Sequence, residues 1–204
     1  MVPLGPKVYS RAGGVLSRAF HDDPLWATLT PDAGVRQARL AMMFTALANT
    51  VVAANGVAET TTGFEAVALW LPPGIKMGLG AMVRAGFALP RFVFTLPTED
   101  RRRMMAVLRQ LDDKRKRLAP EPHWYLAAIG VEPESHGRGL GSALVRAGMW
   151  RADHDQKLIY LETETEGNVG YYEHLGFDIV DEIVAAELGL PVWLMSRCPQ
   201  TSPP

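Results

Sequence analysis

The segment "ESHGRGLGSAL" (residues 134–144) gathers three glycines and a serine around one histidine and one arginine. It follows the apolar segment "HWYLAAIGV" (residues 123–131) and opens the helix-like segment "SALVRAGMW" (residues 142–150). Glycines at this density cost chain entropy, which is typical of a place where something must come very close to the backbone. The unpaired N–H groups and positive dipole at a helix start favour an anion there. The segment therefore predicts a phosphate-binding turn between a strand and a helix, with a simple tight turn as the alternative.

Two familiar phosphate loops do not fit this spacing. A nucleotidase P-loop, G-x-x-x-x-G-K-[ST], needs a lysine after the glycines, and none follows here. A dinucleotide fingerprint, G-x-G-x-x-G, would need its third glycine one position later, and Pro133 separates the strand from the loop. The glycine segment therefore indicates a different kind of phosphate site.

Composition limits the classes of protein that the chain can belong to. The 204 residues are 48% hydrophobic and 21% charged, with a formal net charge of −1, which predicts one globular domain with no general attraction for nucleic acid or membrane. The single cysteine, Cys198, excludes an internal disulfide and favours a reducing compartment. The N-terminal segment "MVPLGPKVYSRAGG" lacks the apolar region of a secretion signal. The most membrane-like stretch, residues 75–96, is interrupted by charges and a proline, so it is not expected to span a bilayer. We expect a cytoplasmic protein.

Hydrophobic periodicity predicts an alternation of helices and strands. Helices are expected at 10–23, 35–54, 98–120, 142–154 and 169–175, and strands at 57–62, 65–71, 123–131, 157–164, 177–185 and 191–197. For the helix from residue 98 we expect Thr98 as N-cap and an apolar stripe formed by Met104, Leu108, Leu111 and Leu118. A loop–helix unit that joins two strands predicts an α/β or α+β layered domain.

Two blocks of sequence resemble the GNAT superfamily of N-acetyltransferases. "HGRGLG" (residues 136–141) is similar to its acyl-CoA pyrophosphate loop, Gln/Arg-x-x-Gly-x-Gly/Ala, with His136 in the Gln/Arg place. "LETETEGNVGYYEHLGF" (residues 161–177) resembles its later motif, in which an Asn is closely followed by Tyr-Glu-x-x-Gly-Phe. Within the superfamily the chain resembles the puromycin N-acetyltransferase group, through "AFHDDP" (residues 19–24), "VALWLPPG" (residues 67–74) and "VWLMSR" (residues 192–197).

The resemblance implies a mixed central sheet of six to seven strands, flanked by helices, in which two neighbouring parallel strands splay apart to receive acetyl-CoA. The group of relatives usually begins with a strand that carries R-x-A-x-x-x-D, and this chain does not, so its first edge strand is expected to be shortened or lost. The implied reaction is direct acetyl transfer to the primary amine of a small molecule, such as an antibiotic-like amine or a polyamine, without a metal. Three alternatives stay open: a protein amine as acceptor, a longer acyl-CoA, and a noncatalytic acyl-CoA-binding or sensing domain.

The resemblance also implies which residues hold acetyl-CoA. They are Ile129, Val131, His136, Gly137, Arg138, Gly139, Gly141, Ser142, Asn168 and Tyr172. From the sequence alone, Arg138 could equally be a solvated surface arginine, and Asn168 could equally be the N-cap of the helix at 169–175.

Acetyl transfer needs a proton donor for the departing thiolate and a base for the amine. By resemblance the donor is Tyr172, while its neighbour Tyr171 is expected to be core or a wall of the acceptor site. Glu162 is the candidate base, because a carboxylate on the apolar strand "LIYLET" (residues 158–163) would be costly to bury without a task or a partner. A structural salt bridge or an exposed edge position remains the alternative for Glu162.

The whole chain, residues 1–204, is expected to form a single acetyltransferase domain. Residues 74–122 would cover the acceptor site, residues 123–176 would form the acyl-CoA-binding core, and residues 198–204 would be a tail. The apolar residues of the 74–122 segment also leave a homodimer face open.

Overall fold

One seven-stranded mixed sheet organises residues 1–200, the part of the chain that the computed structural model describes; the expected tail lies outside the described residues beyond Gln200. The strands are β1 (Val2–Pro3), β2 (Val57–Thr60), β3 (Ala66–Leu71), β4 (Trp124–Val131), β5 (Ile159–Thr163), β6 (Asp178–Ala185) and β7 (Leu190–Arg197). Their order is β1-β2-β3-β4-β5-β7-β6, and only β4 and β5 run parallel. The sheet confirms the predicted fold class, and its first strand is shortened to two residues.

Eight α-helices cover the two faces of the sheet in the described residues. They are α1 (Tyr9–Ala19), α2 (Pro24–Leu29), α3 (Ala33–Ala53), α4 (Leu79–Arg84), α5 (Ala88–Thr95), α6 (Thr98–Leu118), α7 (Leu140–His154) and α8 (Glu166–Glu173). Among residues 1–200 no helix combines the length and the apolar composition needed to cross a bilayer.

Alternating side chains of β3 divide the core into two layers. Val67, Leu69 and Leu71 pack with α1 and α3, whereas Ala68 and Trp70 pack with α7 and the end of β5. All of these side chains are buried, as the two-residue period of a strand with helices on both faces requires. Helices therefore cover both faces of the sheet at β3.

Two glycines let the helices approach the sheet closely. A Cβ on Gly130 of β4 would stand 2.7 Å from the Ala19 Cβ of α1. A Cβ on Gly148 of α7 would collide with the indole of Trp70. These positions hold α1 and α7 against opposite faces of the strands that border the glycine segment.

A buried ion pair joins α7 to the last strand. Asp153 accepts hydrogen bonds from the Arg197 guanidinium at 2.7 and 3.0 Å, and a third from the Gln200 backbone N–H at 2.8 Å. Both side chains are almost completely buried. The pair ties the end of the chain to the helix that follows the glycine segment.

Two local predictions for helix α6 were wrong. Pro97, not Thr98, occupies the N-cap position, and no side chain caps the helix. Leu108 is 50% exposed, while its neighbour Val107 is 2% exposed and faces the core. Met104, Leu111 and Leu118 pack inward as predicted, and Val107 takes the place on the apolar face that was expected for Leu108.

Candidate acetyl-CoA and amine site

The sheet opens between its two parallel strands. β4 and β5 pair only at Trp124–Ile159 and Tyr125–Tyr160, although β4 continues to Val131. Beyond Tyr125, β4 pairs with β3 alone. A gap therefore widens between β4 and β5 towards their carboxyl ends.

A β-bulge accompanies this opening. Trp70 and Leu69 of β3 pair with Leu126 and Ala128 of β4, so Ala127 has no partner opposite. A bulge bends and twists its strand, which turns β4 away from β5. The Glu132 N–H donates to the Glu65 carbonyl at 2.7 Å, on the β3 side. Because backbone groups alternate between the two edges of an antiparallel strand, those of Ile129 and Val131 point towards the gap.

The glycine segment presents a row of free backbone donors at the mouth of the gap. Gly137 and Gly139 have φ values of +74° and +73°, a conformation that favours glycine. Within residues 1–200, none of the N–H groups of residues 137–142 donates a hydrogen bond, and α7 begins with neither a capping side chain nor an acidic residue in its first turn. Open space lies around both glycine α-carbons. A pyrophosphate fits this cradle, since it accepts from several N–H groups at a positive helix end.

The side chains of the loop lie on different sides of this cradle. The His136 ring contacts the Val131 carbonyl oxygen through Nε2 at 3.1 Å. Arg138 is exposed and turns towards the Ser135 hydroxyl at 3.2 Å and the Glu65 carboxylate at 3.6 Å. The Ser142 hydroxyl donates to the Tyr171 hydroxyl at 3.4 Å. His136 therefore meets the strand edge that faces the gap, whereas Arg138 leans towards β3.

The N-cap alternative for Asn168 was wrong. Asn168 lies inside α8, whose N-cap position is held by Thr165 without a side-chain bond. Its amide donates to the Thr163 hydroxyl at 3.2 Å, at the end of β5. The side chain is otherwise exposed.

Tyr172 is buried in the layer between α7 and β5. Its ring packs against Tyr171 and Phe177, with ring centroids 5.1 and 5.6 Å away. Burial raises its pKa well above the ordinary value of a tyrosine, and the nearby Tyr171 and Glu164 raise it further. Tyr172 therefore keeps its proton at neutral pH. Tyr171, in contrast, reaches the start of α7, where a Cβ on Gly141 would lie 3.3 Å from its hydroxyl.

Glu162 lies on the opposite face of β5, under α6. It shares that face with Tyr160, as the two-residue period predicted. Burial raises the pKa of Glu162 to about 7, while Arg115 of α6 and the hydroxyls of Tyr125 and Tyr160 act in the opposite direction. The Arg115 guanidinium stacks over the Tyr125 ring, 4.5 Å from its centroid. Glu162 is therefore a carboxylate poised to gain or lose a proton near neutral pH.

Sequence reasoning missed two further carboxylates at this end of β5. Glu164 lies one residue beyond the strand, and burial, together with the charges of Asp23 and Glu162, raises its pKa to about 8. Asp23 caps α2, accepting from the N–H groups of Leu25 at 3.1 Å and Trp26 at 3.3 Å, and burial raises its pKa to about 6. The spacing of Glu162 and Glu164 was visible in the sequence as two acids on one strand face. The approach of Asp23 depends on the tertiary fold.

Comparisons with known proteins agree with this architecture. The model of the acetyltransferase (GNAT) family matches residues 92–177. A peptidyl-lysine N-acetyltransferase of Escherichia coli is 35% identical over 72 residues, which are 35% of this chain and 48% of that protein. Thus the match spans about half the length of this curated relative.

Two solved structures share the fold over nearly the whole chain. A histone acetyltransferase HPA2-related protein of Corynebacterium glutamicum has a TM-score of 0.67 and 23% identity, over 98% of this chain and 96% of its own. An arylalkylamine N-acetyltransferase of Aedes aegypti has a TM-score of 0.62 and 14% identity, over 97% of both chains.

The splayed sheet and the glycine cradle agree with the family match. Residues 92–177 match the acetyltransferase (GNAT) family, as the two sequence blocks predicted, and solved acetyltransferase structures share the fold over nearly the whole chain. Acetyltransferases of this family use acetyl-CoA, which accords with a cradle of free backbone N–H groups.

Proposed function

We propose that the protein transfers an acetyl group from acetyl-CoA directly to the primary amine of a small molecule. The observation that carries this proposal is the row of free N–H groups at residues 137–142, set at the mouth of the gap between β4 and β5. Acetyl-CoA brings a pyrophosphate, a long amide-bearing arm and the thioester that supplies the acetyl group. Residues 123–176 would form its binding core, in a chain that acts as one domain in the cytoplasm.

In this proposal the residues that hold acetyl-CoA lie along one path. The N–H groups of Gly137, Gly139 and the following residues would bind the pyrophosphate, and the backbones of Ile129 and Val131 would bind the arm. The remaining members of the set are His136, Arg138, Gly141, Ser142, Asn168 and Tyr172. The Val131 carbonyl now meets the His136 ring, so the ring would yield this acceptor to the arm.

Tyr172 and Glu162 would move the protons. The Tyr172 hydroxyl, whose pKa lies above its ordinary value, keeps a proton that it can donate to the leaving sulfur. Glu162, with a pKa of about 7, can accept a proton from the ammonium form of the acceptor, directly or through water. The two groups approach the transfer from opposite faces of β5.

A closed helical cover supports a small acceptor. Helix α6 is fastened over the β6–β7 hairpin, because the Gln110 amide donates to the Val184 carbonyl at 2.8 Å and accepts from the Ala186 N–H at 3.2 Å. Lys114 pairs with Asp181 at 2.6 Å on the same hairpin. A cover held by these contacts would leave less room for a protein chain than for a small amine. We assign this covering role to residues 74–122.

The test combines binding and turnover. Purified protein with acetyl-CoA and a panel of primary amines should release free thiol with at least one of them. Tyr172→Phe should slow turnover by about 10²–10⁴-fold, the usual range for a lost general acid, with little change in acetyl-CoA affinity. The control is the neighbouring Tyr171→Phe, which also removes a phenol hydroxyl but one outside the proposed proton path. This variant should slow turnover far less.

Two results would contradict the proposal. Tight acetyl-CoA binding without thiol release for any amine would identify a sensing domain. Unchanged turnover in Tyr172→Phe would transfer the acid role to Tyr171 or to water.

A further inference from the structure

Two enclosed polar atoms lie on one face of β5 without a hydrogen-bond partner among the described residues. One is the hydroxyl oxygen of Tyr160, a side chain with no exposed surface, and the other is Oε1 of Glu162. The two residues are two positions apart on the strand, so they share a face and their α-carbons are separated by about 7 Å. Buried polar atoms are rarely left without partners, so this pair of atoms indicates a shared polar contact.

The Tyr160 ring is held by three neighbouring elements. It packs in one cluster with Leu118 and Ala119 at the end of α6 and with Leu194 of β7. On β4 its register partner is Tyr125, at the last rung before the gap, and the two ring centroids are 6.3 Å apart. This packing leaves the Tyr160 hydroxyl little freedom to turn towards another partner.

The space between the two atoms suits one water molecule. The Tyr160 hydroxyl and the Glu162 carboxyl group are near enough to affect each other, yet they form no direct hydrogen bond. A water between them can accept a hydrogen bond from the hydroxyl and donate one to Oε1, as bridging waters in proteins do. Glu162 as a whole keeps some exposed surface, so the enclosure applies to Oε1 and not to the entire side chain.

We propose that Tyr160 is a positioning residue for Glu162, holding Oε1 through one bridging water and leaving Oε2 to take the proton of the amine. This inference rests on the proposed role of Glu162 as the base and adds the group that orients it. Burial and the charge of Glu162 raise the pKa of Tyr160 above its ordinary value, so Tyr160 keeps its proton and acts as a donor. A donor to a carboxylate stabilises the ionised form, so Tyr160 favours the basic form of Glu162.

Other groups also influence the protonation of Glu162. Burial raises its pKa, and the charge of Arg115 is the largest effect in the opposite direction. The charged and titratable groups around the pair are Arg115 and Asp112 of α6, Tyr125 and His123 of β4, Glu164 beyond β5, and Asp181 of β6 with its partner Lys114. Tyr160→Phe leaves all of these groups in place, so it isolates the effect of the hydroxyl.

The test measures the pKa of Glu162 directly and then in turnover. The carboxyl carbon of Glu162 is followed by NMR through a pH titration of the protein without substrate, and the loss of its signal in Glu162→Gln assigns it. The wild-type midpoint should lie at about 7. Tyr160→Phe should raise it by about one pH unit or more, because the ionised form loses a hydrogen bond. The kcat/KM of this variant should therefore fall about tenfold near pH 6.5 and little near pH 9.

The control is Tyr9→Phe, which removes the same hydroxyl from a buried tyrosine of α1 in the other core layer and should leave the Glu162 midpoint unchanged. Equal midpoints in Tyr160→Phe and wild type would overturn the inference, even where acetyl transfer is observed. A higher melting temperature of Tyr160→Phe with an unchanged midpoint would overturn it too, since the hydroxyl would then be a buried group without a task. A raised midpoint in a protein that acetylates no amine would support the contact between Tyr160 and Glu162 and contradict the proposed function.

Discussion

At the scale of single residues, Glu162 can be tested through pH. Its folded pKa of about 7, set by burial against the opposing effects of Arg115 and the two tyrosine hydroxyls, means that the basic form appears as pH rises through neutrality. A rate that depends on this base should rise over the same interval. In Glu162→Gln that limb should disappear, and the rate should instead climb towards the pKa of a free amine, about 10. Initial rates from pH 5.5 to 9.5 measure both profiles.

A structural role would give a different result. If Glu162 only braces the sheet, Glu162→Gln should lower the melting temperature while the pH–rate curve keeps its wild-type shape. Glu166→Gln serves as the control, because it removes the same charge at the exposed start of α8.

The residues of the proposed site that carry a motif could be named from the sequence, and those that depend on burial could not. The glycines of 137–141 and Tyr172 belong to short patterns that survive in sequence. Asp23 was predicted as the last residue of the helix at 10–23, whereas α1 ends at Ala19 and Asp23 is the N-cap of α2, where its charge acts on Glu164. The error at Leu108 has the same origin, because the packing of α6 against its neighbours decides that Val107 and not Leu108 faces the core.

At the scale of elements, the turn from β4 into α7 carries the proposed acetyl-CoA site. Acetyl-CoA should raise the melting temperature of the wild-type protein, since a ligand of the native state stabilises it by mass action. Gly139→Val should abolish this shift, because a β-branched side chain is strained at φ +73° and would occupy the space in front of the free N–H groups. Differential scanning fluorimetry with and without acetyl-CoA measures the effect.

The matched control is Gly78→Val. Gly78 has a φ of −79° and open surroundings, far from the loop in sequence, so the shift with acetyl-CoA should persist. An equal shift in wild type and Gly139→Val would show that the loop was assigned wrongly.

Most helices and strands were predictable within a few residues, because their periods and their terminating prolines and glycines are local signals. The opening between β4 and β5 came from family resemblance, since no period reveals that pairing ends after Tyr125 and Tyr160. The bulge at Ala127 is equally invisible in "HWYLAAIGV", where any residue could be the extra one.

At the scale of the whole molecule, the Asp153–Arg197 pair should govern stability. Asp153→Asn leaves the Arg197 charge buried without its partner, so the free energy of unfolding should fall by about 3–5 kcal/mol. Burial alone would raise the pKa of Asp153, but the hydrogen bonds from Arg197 and Gln200 outweigh it and lower the pKa. A lowered folded pKa contributes stability above the unfolded value of about 3.9, and this contribution is lost as pH falls below it.

Urea unfolding followed by circular dichroism measures the loss. Asp113→Asn changes the same group on an exposed part of α6 and should leave the midpoint nearly unchanged. Equal midpoints for Asp153→Asn and wild type would mean that the pair contributes no net stability.

The order of strands across the molecule could not be derived from periodicity. The last two strands are neighbours, but the final strand β7 lies between β5 and β6, so that β6 is the edge. Burial explains this order: Val192, Leu194 and Met195 of β7 are fully buried, whereas most of β6 is exposed and suits an edge.

The short pairing between β4 and β5 has a consequence for how the protein opens. Two residue pairs join a four-stranded half, β1 to β4, to a three-stranded half, β5 to β7. Each half is otherwise closed by its own antiparallel ladders, so we expect the seam between them to be the weakest part of the sheet's hydrogen bonding. Local opening should begin along that seam, and a ligand bound in it would hold the two halves together and make this opening rarer.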